Sequence, residues 1–168
     1  MTDPPFDPLE MLDVLGRHDV RYVMIGGLAG RLWGSPSVTN DLDVCYARDR
    51  TNLRRLADAL RELNARLRGL AEDVPFLLDE RTLAAGDHFT FVTDAGNLDC
   101  LGTPAGTKGY DDLSRTAEPM QIGDRTVQIA AIEDLIRMKL AAGRPKDRIE
   151  VEILGAVREE LDREESEP

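Results

Sequence analysis

Aromatic side chains are scarce in this 168-residue chain, at 5%, with a single tryptophan. Few rings are thus on hand to stack on a base. Trp33 and Tyr110 are the rings to weigh as base-stacking groups, and packing is the commoner use of each. Cysteine is scarcer still: Cys45 and Cys100 stand alone, which excludes a C-x-x-C redox or zinc pattern and fits a reducing compartment. Both read as small buried apolar groups. No apolar run approaches the roughly 20 residues needed to cross a bilayer. The opening "MTDPPFDPLE" has neither the basic nor the apolar region of an export signal, so a cytoplasmic protein without membrane contact is expected.

Positive charge is also in deficit. Lys and Arg number 21 against 32 Asp and Glu, a net charge of -11, which weighs against broad, nonspecific binding to nucleic acid. Local basic patches remain open. Arg48, Arg50, Arg54 and Arg55 form one cluster, and Arg137, Lys139, Arg144, Lys146 and Arg148 another; the ordinary reading of each is a solvated helix face.

What the chain does have is the composition of one globular domain, 42% hydrophobic and 32% charged. Asp7 and Pro8 read as a helix start, with Leu9, Leu12 and Leu15 on one face until Gly16. "RYVMIGG" is an apolar β-rich run stopped by glycines. Leu28 to Trp33 suits a helical turn or two before "GSPS". "TNDLDVCYA" alternates as a strand, with Asp41, Asp43 and Cys45 on one face and Leu42, Val44 and Tyr46 on the other. From Thr51 to Arg68 apolar residues keep helical spacing. "HFTFVTDAGNLDCLG" reads as two strands joined at Asp94, Ala95 and Gly96, and "RTVQIA" as one more. "AIEDLIRMKLAAG" is a helix closed by Gly143, and Pro145 opens the next.

This order predicts an α/β (α+β) fold, a mixed sheet of about four or five strands flanked by helices. Residues 1–130 are expected to form the core, 131–162 a helical extension packed on it, and 163–168 a disordered acidic tail.

The chemistry falls on the sheet. Acids at i and i+2 on a strand point the same way, so Asp41 and Asp43 set two carboxylates side by side, which repel unless a cation lies between them. Mg²⁺ takes a couple of protein carboxylates and completes its octahedron with water and phosphate oxygens. Asp99, flanked by Leu98 and Cys100 on the opposite face, is the candidate third acid of a two-metal site. Gly26 and Gly27 lie between strand and helix, where backbone N–H groups can approach a phosphate with no Cβ in the way. Each feature has a plainer explanation alone: a tight turn, or a solvated acid. Their order along the chain is what chance explains poorly.

The segments "IGGLAGRLWGSPSVTNDLDV" and "NLDCL" resemble the nucleotidyltransferase superfamily (DNA polymerase beta-like), whose pattern is an apolar residue, Gly, Gly or Ser, a short helix, then Asp-x-Asp flanked by apolar residues. Together with "IAAIEDLIRMKLAAGRPKDRIEVEIL", "GSPSVTNDLD" looks like its minimal prokaryotic group, which includes AbiEii-type and MenT-type toxins. The resemblance spans roughly residues 9 to 157. It implies a nucleotidyltransferase fold with C-terminal helices and transfer of a nucleoside monophosphate from an NTP to an acceptor hydroxyl on tRNA or protein, with Mg²⁺ or Mn²⁺. It also implies a possible antitoxin partner. By resemblance, Asp41, Asp43 and Asp99 are catalytic and metal-binding, while Gly26, Gly27, Thr39, Lys139 and Asp147 bind the nucleotide. Asp147 would orient Lys139 or simply occupy the first turn of its helix.

Relatives often carry an arginine in the loop before Asp-x-Asp, where this chain has Ser37; Arg31 or Arg144 are the candidate replacements. Two other readings stand beside the first. One is a catalytically weak nucleotide- or partner-binding module, and the other a small-molecule, aminoglycoside-like nucleotidyltransferase.

Overall fold

The computed structural model describes residues 4–70 and 76–167. Fourteen elements follow one another: α1 (Pro8–Arg17), β1 (Tyr22–Ile25), α2 (Gly26–Trp33), β2 (Asp41–Tyr46), α3 (Arg50–Glu62), β3 (Arg66–Leu67), α4 (Glu80–Ala85), β4 (His88–Thr93), β5 (Gly96–Leu101), α5 (Tyr110–Ser114), β6 (Glu118–Ile122), β7 (Arg125–Ile129), α6 (Ile132–Ala142) and α7 (Pro145–Ser166). The strands form one mixed sheet in the order β3-β4-β5-β2-β1-β7-β6. The pairs β2–β5 and β1–β7 are parallel and the other four antiparallel.

The period-2 pattern sets the two faces. Leu42, Val44, Tyr46, Phe91, Leu98 and Cys100 are fully buried, in one core with Met11 and Leu15 of α1 and Leu53, Leu56 and Leu60 of α3. Asp41, Asp43, Asn97 and Asp99 alternate with them onto the other face and stay partly accessible. Both cysteines are free and buried, as their isolation predicts.

Local signals explain the boundaries. The Asp7 side chain caps α1 through the Glu10 amide, ahead of Pro8. Asp49 caps α3 through the Asn52 amide. Asn52 is itself fully buried: its side chain accepts from the Arg21 amide at 2.7 Å and donates to the carbonyls of Arg21 and Ala47, tying the start of β1 to the end of β2.

Two sequence expectations are corrected. The helix expected over Thr51 to Arg68 ends at Glu62, because Asn64 turns left-handed (φ 58°) and the Ala65 amide reaches back to the Leu60 carbonyl at 2.9 Å. Leu67 then pairs with Phe91 as part of an edge strand. The sheet has seven strands rather than four or five. The additions are its two edges, β3 with two residues and β6, whose "EPMQI" buries none of its side chains and so leaves no apolar alternation to read.

At the C-terminal end, Gly143 closes α6 in a left-handed turn (φ 67°) and α7 starts at once at Pro145. α7 runs through Ser166, with Arg163 beside Glu159 and Glu160 on consecutive turns, so most of the acidic end is helical.

Candidate active site

Parallel pairing of β2 with β5 puts Asp41 opposite Asn97 and Asp43 opposite Asp99. The Asp43 and Asp99 carboxyls therefore come close together on one face of the sheet. Burial, then the Asp99 charge, the hydrogen bond to it and the Asp41 charge push the Asp43 carboxyl up to about 7, while Lys139 pulls the other way. A buried acid pair of this kind is electrostatically unsatisfied when ionised.

Gly26 sits directly against that pair. Its φ is +75°, and a Cβ there would collide with the Asp43 carboxylate. The glycine is thus needed for backbone conformation and for close approach to an acid. A Cβ on Gly27 would come within 3.0 Å of the Thr39 Cβ, so the two glycines let α2 start flush against β2. Thr39 organises the entry to that strand: its hydroxyl lies 3.3 Å from the Asp41 carbonyl and 3.4 Å from the Asp41 amide.

Lys139, on α6, projects into the same cleft, of roughly 600 Å³, which is also lined by Gly26, Gly27, Asp41, Asp43, Asp99 and Arg144. Asp147 is completely buried and makes a 3.4 Å ion pair with Lys139. It also accepts from the Arg144 backbone at 3.1 Å and from the Arg144 guanidinium at 2.7 Å. Asp147 therefore both holds Lys139 and completes the N-terminal capping box of α7. The Arg144 hydrogen bonds and the Lys139 charge hold its carboxyl at about 2.

Ser37 donates to Glu150 Oε2 at 2.7 Å, and Ser35 donates to Glu150 Oε1 at 2.9 Å. The loop before Asp-x-Asp is thus pinned to α7 by a carboxylate instead of presenting an arginine. Arg31 donates to the Ser37 carbonyl at 2.9 Å and supports the loop from outside, whereas Arg144 lines the cleft.

One charged group at the site was missed in the sequence. Arg68 donates from NH2 to Asp99 Oδ1 at 2.9 Å and to the Phe91 carbonyl at 3.0 Å. The sequence pattern places it at the end of a helix, and only the strand pairing of β3, continued by the Arg68 amide to the Thr90 carbonyl, brings it to Asp99. Among the described residues, no three acid, His or Cys side chains are drawn together as a ready coordination shell; Asp99 is instead shared between Asp43 and Arg68.

The other sequence candidates lie elsewhere. Arg50 and Arg54 pair with Glu80, and Arg48 donates to the carbonyls of Ala84 and Gly86, so this cluster is spent in local contacts. Trp33 donates to the Ala130 carbonyl at 2.9 Å and packs on the core. Tyr110 lies under the Arg21 guanidinium, beside a separate hollow. No helix of the described residues is long and apolar enough to cross a membrane.

No family model matches the chain, and no curated protein matches it in sequence. Solved structures do. The lincosamide antibiotic adenylyltransferase LnuA, with lincomycin bound, superposes with a TM-score of 0.58 at 12% identity, over 89% of this chain and 95% of that one. The antibiotic-resistance factor ANT(2'')-Ia, in complex with adenylyl-2''-tobramycin, gives 0.54 at 16% identity, over 95% and 97%. A candidate nucleotidyltransferase from Thermotoga maritima, TM1012, gives 0.54 at 15% identity, over 95% and 97%. The chain thus has the fold of these nucleotidyltransferases over nearly its whole length.

Proposed function

We propose that this protein transfers a nucleoside monophosphate from an NTP to an acceptor hydroxyl, with a divalent metal ion as cofactor. The observation that carries the reading is the Asp43–Asp99 pair: two carboxylates in register on neighbouring strands, one of them pushed up to about 7 by burial and by the charge of the other. The donor set fits Mg²⁺ or Mn²⁺, since hard carboxylate oxygens at like-charge range are what such an ion relieves. Asp41, Asp43 and Asp99 would hold it. The bound ion would neutralise phosphate charge and orient the oxygens of the displacement.

The chain's own groups supply the rest. Gly26 and Gly27, at the start of α2, would offer backbone N–H groups to triphosphate oxygens beside the Asp pair, and Lys139, steadied by Asp147, gives a point charge to the leaving phosphates. The acceptor oxygen attacks the α-phosphorus and the bond to the β-phosphate oxygen breaks. Pyrophosphate leaves, and Asp99 takes the hydroxyl proton. The similarity in fold to adenylyltransferases supports this reaction class.

The test is incubation of the protein with each α-labelled NTP, Mg²⁺ and separate pools of tRNA, protein and small molecules, beside an Asp41→Ala, Asp43→Ala double variant. The reading expects label on one pool, lost in the double variant; label that persists in the variant, or none in any pool, opposes it. A tRNA or protein acceptor, and a partner antitoxin, remain the reading suggested by the "GSPSVTNDLD" resemblance.

A further inference from the structure

From Asp99 outward, the open face of the sheet is read directly from the strand register. Thr90 lies opposite Asp99, His88 opposite Leu101 and Val92 opposite Asn97 on β4, and Arg66 lies opposite Val92 on β3. The Arg68 amide continues the ladder to the Thr90 carbonyl at 2.9 Å, so Arg68, Thr90, Asp99 and Asp43 form one row across the sheet. Among the described residues, the β3 and β4 part of this face contributes arginines and a histidine and no acid.

Arg68 is anchored rather than loose. Its NH2 group makes both contacts, to Asp99 and to the Phe91 carbonyl, and among the described residues Nε and NH1 donate to no other group. Its side chain is 34% exposed beside a 17% exposed Asp99. Arg66 follows on the same face two residues earlier and is exposed. A planar guanidinium with two donor positions left is shaped to grip a phosphate. A polycationic acceptor would meet like charge from Arg66 and Arg68 along this edge, with the acids Asp41, Asp43 and Asp99 lying inward of it.

We propose that the Arg66–Arg68 edge beside Asp99 is the acceptor subsite, and that it takes an acceptor whose reactive hydroxyl lies near a phosphate group. This rests on the nucleotidyl-transfer reading of the Asp cluster and assigns its acceptor class. Arg68 orients the Asp99 carboxylate and reads the phosphate; Arg66 adds a second cation further out. The negative net charge of the whole chain does not decide the matter, since the short-range field at the subsite comes from these side chains.

The test uses the full chain, Mg²⁺ and a non-hydrolysable NTP analogue, followed by calorimetric titration of three probes. They are an RNA trinucleotide with a free 3′-hydroxyl, a hexose monophosphate and tobramycin. At least one phosphate probe should bind at least tenfold more tightly than tobramycin, and Arg66→Gln and Arg68→Gln should each weaken it at least fivefold. Binding of the RNA alone would identify a nucleic-acid end as the phosphate source, and binding of the hexose phosphate a small metabolite. Arg66→Gln should keep the affinity for the analogue within twofold, which separates a lost subsite from a lost fold. Absence of Mg²⁺-dependent analogue binding would overturn the nucleotidyl-transfer reading itself. Intact analogue binding with tobramycin preferred, or with phosphate binding indifferent to both arginines, would overturn the subsite alone.

Discussion

Asp43 and Asp99 face each other in register across two parallel strands, and the backbone of Gly26 is packed against the first of them. Side-chain alternation, strand register and a residue without a Cβ combine to concentrate negative charge at one point of the sheet. The stability and the chemistry of the protein both follow from how that charge is neutralised.

Asp43→Asn should stabilise the metal-free protein above neutral pH. The native Asp43 carboxyl holds its proton up to about 7, whereas the unfolded chain releases it near the ordinary aspartate value of 3.8. Native stability therefore falls as pH rises through that window, and the asparagine removes the penalty. Thermal unfolding at pH 8 should show a gain on the order of 5 °C for the variant, shrinking as the pH is lowered toward 4. Mg²⁺ with NTP should raise the melting temperature of the wild type and not of the variant.

Gly26→Ala should be costly for two independent reasons. The residue has a left-handed backbone, and the added methyl would displace the Asp43 carboxylate. A loss of about 2 to 4 kcal/mol is expected in denaturant unfolding, more than for a surface alanine substitution. Gly27→Ala, with Thr39 at 3.0 Å and ordinary φ, should cost less.

Asp147→Ala should untie Lys139 and Arg144 together. Loss of the capping box should cost about 1 to 2 kcal/mol, and NTP affinity should fall as Lys139 loses its fixed position. With its carboxyl held near 2, the wild type keeps the stability from this group above pH 4 and loses it as the pH falls toward 2. The alanine variant should lack that acid-dependent step.

Glu150→Ala should release the loop that Ser35 and Ser37 fasten to α7. Because the loop leads into Asp41, the expected effect is a higher KM for NTP with a smaller change in kcat. Ser37→Arg places a guanidinium beside Glu150 and should preserve the loop's attachment through an ion pair.

The glycine pair, the Asp-x-Asp strand, the β4–β5 hairpin and the last two helices were all legible, because each is written in local pattern: alternation, caps, or a glycine with positive φ. What the sequence concealed depends on partners far along the chain. Leu67 has helical spacing from Leu60 and Leu63, yet Asn64 ends the helix and Phe91 recruits Leu67 into a strand. The same event carries Arg68 to Asp99, so no local signal marked it as part of the site. β6 escaped notice because an exposed edge strand needs no apolar face. The role of Glu150 is equally nonlocal, since its serine partners lie 113 and 115 positions away.

The most direct test of the central claim is a titration of the protein with Mn²⁺ in the presence of NTP, followed by electron paramagnetic resonance, for wild type, Asp43→Asn and Asp99→Asn. The wild type should bind Mn²⁺, with at least a tenfold loss of affinity in each variant and proton release on binding near pH 7. Mn²⁺ binding that is absent from the wild type, or unchanged by loss of either carboxylate, would contradict it.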